Sequence, residues 1–296
     1  MAQLAAMALA SICPPNGSSA QTQQLIHSEK SLYRQVFVYE DSTSRCLCFT
    51  HLCSVGRQSC IDLKQPQHLV FEYTQMLLGA LYLKPEPRTI LIIGLGGGTL
   101  PSTLEKLLPL ASIQSVEIDP AVVQVAERYF GFHADAHVHV IEQDGRSYVR
   151  QALHAGMRFD LIILDAYDNQ YIPEHMLTRE FLQEVRALLQ PDGVVAANTF
   201  SGSRLYSNES VTYRQVFGTF YNLKSGNRVI LASNGTLPSL AQISANSSRL
   251  SGALQPYGLS SQWLLERFSI TPDWDQAARV LTDQYSPANL LNGVAP

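Results

Sequence analysis

Thr89-Ile90-Leu91-Ile92-Ile93-Gly94-Leu95-Gly96-Gly97-Gly98-Thr99 decides the fold. The first five residues run apolar or β-branched without alternation, the pattern of a strand covered on both faces, as in a parallel sheet. Glycines follow at once. They let the backbone turn sharply and approach a ligand closely, with the N–H groups of the next helix facing it. The loop departs from the GxGxxG of dinucleotide enzymes, because Thr99 stands where the third glycine belongs.

Downstream the same rhythm repeats. Apolar runs predict strands over 112–118, 138–142, 159–164 and 193–199. Helical spacing predicts helices to 108 and over 121–129, 147–155 and 178–189. Two further strands, 219–223 and 227–232, flank Lys224-Ser225-Gly226 and predict a hairpin. Five parallel strands ending in an antiparallel hairpin give an α/β protein on the Rossmann-like class I methyltransferase plan, with a mainly parallel seven-stranded sheet. The Ser-rich stretches 201–210 and 244–251 read as loops.

Upstream, 31–63 is rich in β-branched and aromatic residues broken by turn formers, which predicts about three antiparallel strands. Apolar residues at helical spacing over 67–83 predict a linking helix that Pro85 and Pro87 end. The expected division is a tail over 1–27, a small antiparallel β domain with the linking helix over 28–86, and the Rossmann-like domain over 87–296. The first 20 residues contain an apolar stretch without a preceding Lys or Arg, so they read as a tail rather than a secretory signal.

Composition closes other doors. The 296 residues are 46% hydrophobic and 16% charged, with a formal net charge of −4. That describes a folded chain with a sizeable core. It offers no basic face for nucleic acid and no apolar run of about 20 residues for a membrane span. Five cysteines are an odd number, and Cys46, Cys48, Cys53 and Cys60 crowd one stretch without metal-site spacing. They read as reduced thiols rather than disulfides. His133, His137 and His139 read as solvated positions, so no metal is expected.

In an open α/β sheet, ligands bind beyond the carboxyl ends of the strands. After the first strand come Gly94, Gly96 and Gly98; after the second, Glu117 and Asp119; after the third, Asp144 and Gly145; after the fourth, Asp165 and Asp168. Each acid alone reads equally well as a helix cap. Together they point to an adenosine-bearing ligand, with Glu117 on the ribose hydroxyls and Asp144 reading the adenine amino group. Asp165 and Asp168 suit an ammonium. An alkylammonium with a pKa of about 10 has no lone pair until a positioned carboxylate takes its proton. Tyr167 and Tyr171 read either as an apolar wall for an alkyl chain or as loop packing. Gln58 lies where the β domain should meet the nucleoside.

These motifs resemble the spermidine synthase (polyamine aminopropyltransferase) family, from about Ser31 to the end of the chain. They are Ile92 to Gly98, Val116-Glu117-Ile118-Asp119-Pro120, Asp144-Gly145, and Phe159-Asp160 leading to Asp165-Ala166-Tyr167-Asp168. The segment Leu281-Thr282-Asp283-Gln284-Tyr285-Ser286-Pro287 resembles a divergent bacterial branch. The resemblance implies decarboxylated S-adenosylmethionine as co-substrate, methylthioadenosine as product, a small-molecule amine as acceptor and no metal. It also implies a cytoplasmic homodimer or higher oligomer. Carried over, Asp165, Asp168 and Tyr73 are catalytic, with Asp165 the base. Gly94, Gly96, Gly98, Glu117, Asp144, Gly145 and Gln58 hold the donor, and Tyr167 and Gln75 line the acceptor side; Asp283 and Tyr285 read either as approaching the acceptor or as part of a tail packed on the domain.

Four departures are visible. Thr99 replaces an Asp expected near the aminopropyl amine. Tyr73-Thr74-Gln75 replaces Tyr-His-Glu, Tyr33-Arg34 replaces Tyr-Gln, and Asn169 replaces a proline. The adenosine side looks kept and the amine side altered. Loss of a carboxylate at 99 weakens discrimination against ordinary S-adenosylmethionine, whose own carboxylate an Asp would repel. A methyltransferase, or another user of the intact donor, therefore stands as the alternative. A nucleoside-binding protein without chemistry is a third reading.

Overall fold

The computed structural model describes residues 23–166 and 173–287. Its first sheet orders four antiparallel strands β1-β2-β3-β4: β1 (Gln24–Lys30), β2 (Gln35–Glu40), β3 (Ser44–Cys48) and β4 (Arg57–Asp62). The sequence led to an expectation of about three, and β1 begins inside the stretch assigned to the tail. Its exposed, weakly patterned QLIHSEK carries little burial signal because it is an edge strand. A single turn, α1 (Cys53–Gly56), links β3 to β4.

The cysteines correct the expectation of reduced thiols. Cys46 and Cys60 are directly opposed partners on β3 and β4, and the structure joins them as a disulfide, with a second between Cys48 and Cys53. Spacing alone could not show this, because strand register sets which residues face each other.

The linking helix is two pieces, α2 (Glu72–Leu78) and α3 (Ala80–Leu83), separated at Gly79, whose N–H bonds back to Met76 O at 3.0 Å. Then α and β elements alternate: β5 (Thr89–Ile93), α4 (Thr99–Leu107), β6 (Ser112–Glu117), α5 (Pro120–Tyr129), β7 (Val138–Glu142), α6 (Gly145–His154), β8 (Phe159–Leu164), α7 (Arg179–Leu188) and β9 (Leu189–Phe200). After α8 (Tyr206–Phe217), β10 (Tyr221–Lys224) and β11 (Asn227–Ser233) form the antiparallel hairpin. Two helices, α9 (Leu240–Leu254) and α10 (Ser261–Leu265), follow.

Among the described residues the second sheet has seven strands in the order β10-β11-β9-β8-β5-β6-β7. Strands β9, β8, β5, β6 and β7 run parallel. This is the mixed α/β architecture expected. Side chains alternate across it: Ile90 and Ile92 enter one buried cluster, Leu91 and Ile93 the other. Both faces are dry, which is why β5 reads as an unbroken apolar run. Chain connections reverse direction at β5, which lies between β6 and β8, so the crevice opens at the carboxyl end of β5.

The Ser-rich stretches are corrected too. Residues 206–217 and 240–254 are helical; Ser239 and Gln242 form a reciprocal cap at the start of α9, and Ile243, Ser247 and Leu254 bury one face. The β domain packs on α5, with Val36, Val38 and Leu47 against Ala121, Val122 and Val125. That contact brings the first sheet over the crevice. No helix among the described residues is long and apolar enough to cross a membrane.

Candidate active site

A cavity of about 620 Å3 occupies the crevice. The β domain contributes Tyr33, Arg34, Phe49, Gln58 and Ser59; α2 contributes Tyr73 and Thr74; the carboxyl ends of the parallel strands contribute Gly94 to Gly96, Glu117 to Asp119, Gln143 to Gly145, and Asp165. Thr99, Pro173, His175 and Met176 also line it.

The glycine loop is built by close approach. Gly94 has φ +105°, and a Cβ there would collide with the Asp165 carbonyl. Backbone bonds lock the strand ends together: Gly94 N–H donates to Val116 O and Asp165 N–H to Ile93 O, each at 2.8 Å. Gly98 (φ +73°) precedes α4 in a left-handed conformation, and a Cβ there would meet the Phe132 ring. Gly96 faces Ser59, so the β domain closes directly on the loop.

Glu117 ends β6. Its carboxylate accepts from the Leu95 N–H at 3.1 Å and the Asp119 N–H at 3.0 Å. Burial raises its pKa despite those donors and the nearby Arg34. Asp119 does different work: it caps α5 through Ala121 N–H (3.0 Å), with Pro120 in the first helical turn, and accepts from Ser31 Oγ at 2.6 Å. It ties the two sheets together.

Asp144 caps α6, accepting from Ser147 N–H at 2.8 Å, while its other oxygen lies 3.2 Å from His175 Nε2. Partial burial works against the carboxylate, but Ser147 and His175 outweigh it and hold the pKa below the ordinary range. Gly145 lies against Ile93 and Met176, leaving no room for a side chain.

Asp165 follows β8. Burial raises its pKa to about 7, against a hydrogen bond from Asn198 Nδ2 to Oδ1 at 2.9 Å. Asn198 is itself fixed by Asn227 Nδ2, which donates to its Oδ1 at 3.0 Å. Tyr73 lines the same cavity; burial, then the Asp165 charge, push its hydroxyl well above its ordinary range. The arrangement is a half-buried carboxylate held by one neutral amide, with its other oxygen free of any described protein donor. Such a group is poised to take a proton.

The remaining candidates fall in different places. Gln75 does not line the cavity; its side-chain amide donates to Leu69 O at 3.0 Å. Asp283 is bound by Arg146 at 2.7 Å and Thr178 Oγ1 at 2.6 Å, away from the cavity wall. Tyr285 lies under the Arg279 guanidinium, 3.5 Å from its ring centre. Gln58 does line the cavity. Tyr167, Asp168, Asn169 and Tyr171 lie outside the described residues. Thr99 opens α4, with its hydroxyl 3.3 Å from Ser59 Oγ.

Asn198 and His175 were not picked out from the sequence. Asn198 sits near the carboxyl end of the fifth parallel strand, where the strand-end rule would have found it. His175 meets Asp144 across 31 residues of chain, and no local pattern carries that.

The crevice at the sheet's reversal point, lined by strand-end acids, belongs to a protein of the class I methyltransferase architecture. Comparison with known proteins narrows this. Residues 70–224 match the family model described as the spermine/spermidine synthase domain. The chain is 46% identical over 273 residues to the polyamine aminopropyltransferase of Vibrio vulnificus, covering 90% of this chain and 91% of that protein. It is 31% identical to the polyamine aminopropyltransferase of Chromobacterium violaceum, covering 80% and 90%. The spermidine synthase structure from Thermotoga maritima superposes with a TM-score of 0.64 at 22% identity, covering 85% and 86%. The chain belongs to the spermine/spermidine synthase family.

Proposed function

We propose that this protein is an aminopropyltransferase that moves the aminopropyl group of decarboxylated S-adenosylmethionine to a small amine, releasing methylthioadenosine. The observation that carries the reading is Asp165. It is a half-buried carboxylate on the wall of a cavity that also presents Glu117 and Asp144, in a chain of this family. Methyl transfer from the intact donor is the reading that the relatives do not favour, since both are aminopropyltransferases by name.

In this reading Glu117 accepts the ribose hydroxyls, and Asp144 with Pro173 and Met176 frames the adenine. The glycine loop leaves space for the backbone to approach the donor. The acceptor enters as an ammonium, attracted by the Asp165 carboxylate, which then removes its proton. The freed nitrogen lone pair attacks the carbon next to the sulfonium. The carbon–nitrogen bond forms as the carbon–sulfur bond breaks, and the sulfur leaves as a neutral thioether. The family resemblance adds Asp168 as a second carboxylate for the acceptor. Tyr73, on the same wall, offers its hydroxyl oxygen to accept a hydrogen bond from an N–H of the incoming amine.

Asp165→Asn tests the assignment. Turnover is expected to fall by roughly 10²–10⁴-fold, while calorimetry finds donor binding unchanged. Loss of donor binding in the variant would instead place Asp165 on the nucleoside.

A further inference from the structure

The segment bearing Asp283 packs on the domain through a buried arginine. Arg146, two residues after Asp144, is only 5% exposed, and three segments converge on it. Its Nε donates to Glu184 Oε2 on α7 at 3.0 Å, and its Nη1 to the His175 carbonyl at 2.9 Å. Nη1 and Nη2 grip the two oxygens of Asp283 at 2.7 and 2.8 Å. A bidentate guanidinium–carboxylate pair fixes orientation as well as distance.

The tail bearing Asp283 is itself fastened. Leu281 is fully buried and its carbonyl accepts from Arg179 N–H at 2.8 Å. Thr282 and Tyr285 exchange both backbone bonds, closing a turn around Asp283. Thr178, the cap of α7, donates to Asp283 Oδ1 at 2.6 Å. Ser286 Oγ donates to the Glu174 carbonyl at 2.9 Å. The single turn Glu174–Met176 is thus held by its carbonyls, at 174 from the tail and at 175 from Arg146. Its side chains at 175 and 176 meet the start of α6, His175 on Asp144 and the buried Met176 against Gly145.

We propose that Asp283 is a positioning residue for the nucleoside end of the cavity: by locking Arg146 it seats the Glu174–Met176 turn so that His175 and Met176 close on Asp144 and Gly145. The proposal rests on the reading that this end holds the nucleoside. Asp283 touches no substrate. Its effect falls on binding rather than on the chemical step, because Asp165 and Asn198 lie on other strands.

The test compares the unaltered protein with Asp283→Asn and with Ser286→Ala, which removes the second anchor and keeps the ion pair. Hydrogen exchange over residues 173–178 is measured without ligand, methylthioadenosine affinity by calorimetry, and KM and kcat with the decarboxylated donor. Asp283→Asn should speed exchange in the turn, weaken methylthioadenosine about tenfold and raise the donor KM in step, as when a seated population drops to about a tenth. The kcat should change by less than about twofold. Ser286→Ala should show smaller effects of the same sign. Unchanged exchange in the turn, or faster exchange with unchanged affinity, overturns the proposal. Failure of the unaltered protein to bind methylthioadenosine overturns the reading of the cavity, and this proposal with it. Normal binding by both proteins overturns this proposal alone.

Discussion

Asp165 is a carboxylate whose surroundings disfavour its charge, and its one described side-chain partner is the neutral amide of Asn198. Burial lifts its pKa to about 7, and the Asn198 donor pulls the other way by favouring the ionised form. In the proposed role of base Asp165 works only when deprotonated, so kcat/KM should fall as pH drops below about 7. Replacing Asn198 by Leu removes the donor and raises the carboxyl pKa further. The acid limb of the kcat/KM profile should then move to higher pH, by roughly one unit, the scale of a hydrogen bond to a charged group. A limb that stays in place would show that another group controls it. Groups facing Asp165 are Tyr73 from α2 and Asn198 from β9, with Glu117 and Asp144 across the cavity. None of this pairing is visible in the sequence beyond the strand-end acid itself. Asp165 is found by position, whereas its raised pKa comes from burial that only the assembled walls create.

Elements show the same division between local and distant causes. Strands β5, β7 and β8 match their sequence-based ranges because an unbroken apolar run is a local property. The helix starts at Asp119 and Asp144 coincide with caps, again a local cause. The β3–β4 pair is the opposite case. Cys46 faces Cys60 only because a turn of defined length sets the register, so their spacing of 14 reads as nothing special. The two readings of Asp283 could not be separated in the sequence for a similar reason, since its partner Arg146 is 137 residues away. The paired cysteines make a direct prediction. Alkylation of the folded-then-denatured protein without reductant should label Cys13 alone, and reduction should lower thermal stability. Closing a loop of this size contributes roughly 3 kcal/mol. Labelling of all five cysteines would return the reduced state that the sequence led us to expect.

At the scale of the whole molecule, two sheets share one cavity. The Rossmann-like sheet supplies the acids at its strand ends, and the β domain supplies the lid residues Tyr33, Arg34, Phe49, Gln58 and Ser59. The overall charge of −4 is modest; what matters is that Glu117, Asp144 and Asp165 surround one space. That placement suits a sulfonium nucleoside and an ammonium, both cationic. The architecture, and the placing of Glu117, Asp144 and Asp165 at strand ends around one cavity, were legible because periodicity and strand ends are written locally. The amine half was less so: Gln75, Asp283 and Tyr285 each found another partner in the folded chain. The most direct test is to identify the products. The protein is incubated with decarboxylated or intact S-adenosylmethionine and a panel of amines, and both products are read by mass spectrometry. The account predicts methylthioadenosine together with an amine heavier by one aminopropyl group, from the decarboxylated donor alone. S-adenosylhomocysteine and a methylated acceptor, formed from the intact donor instead, would contradict it.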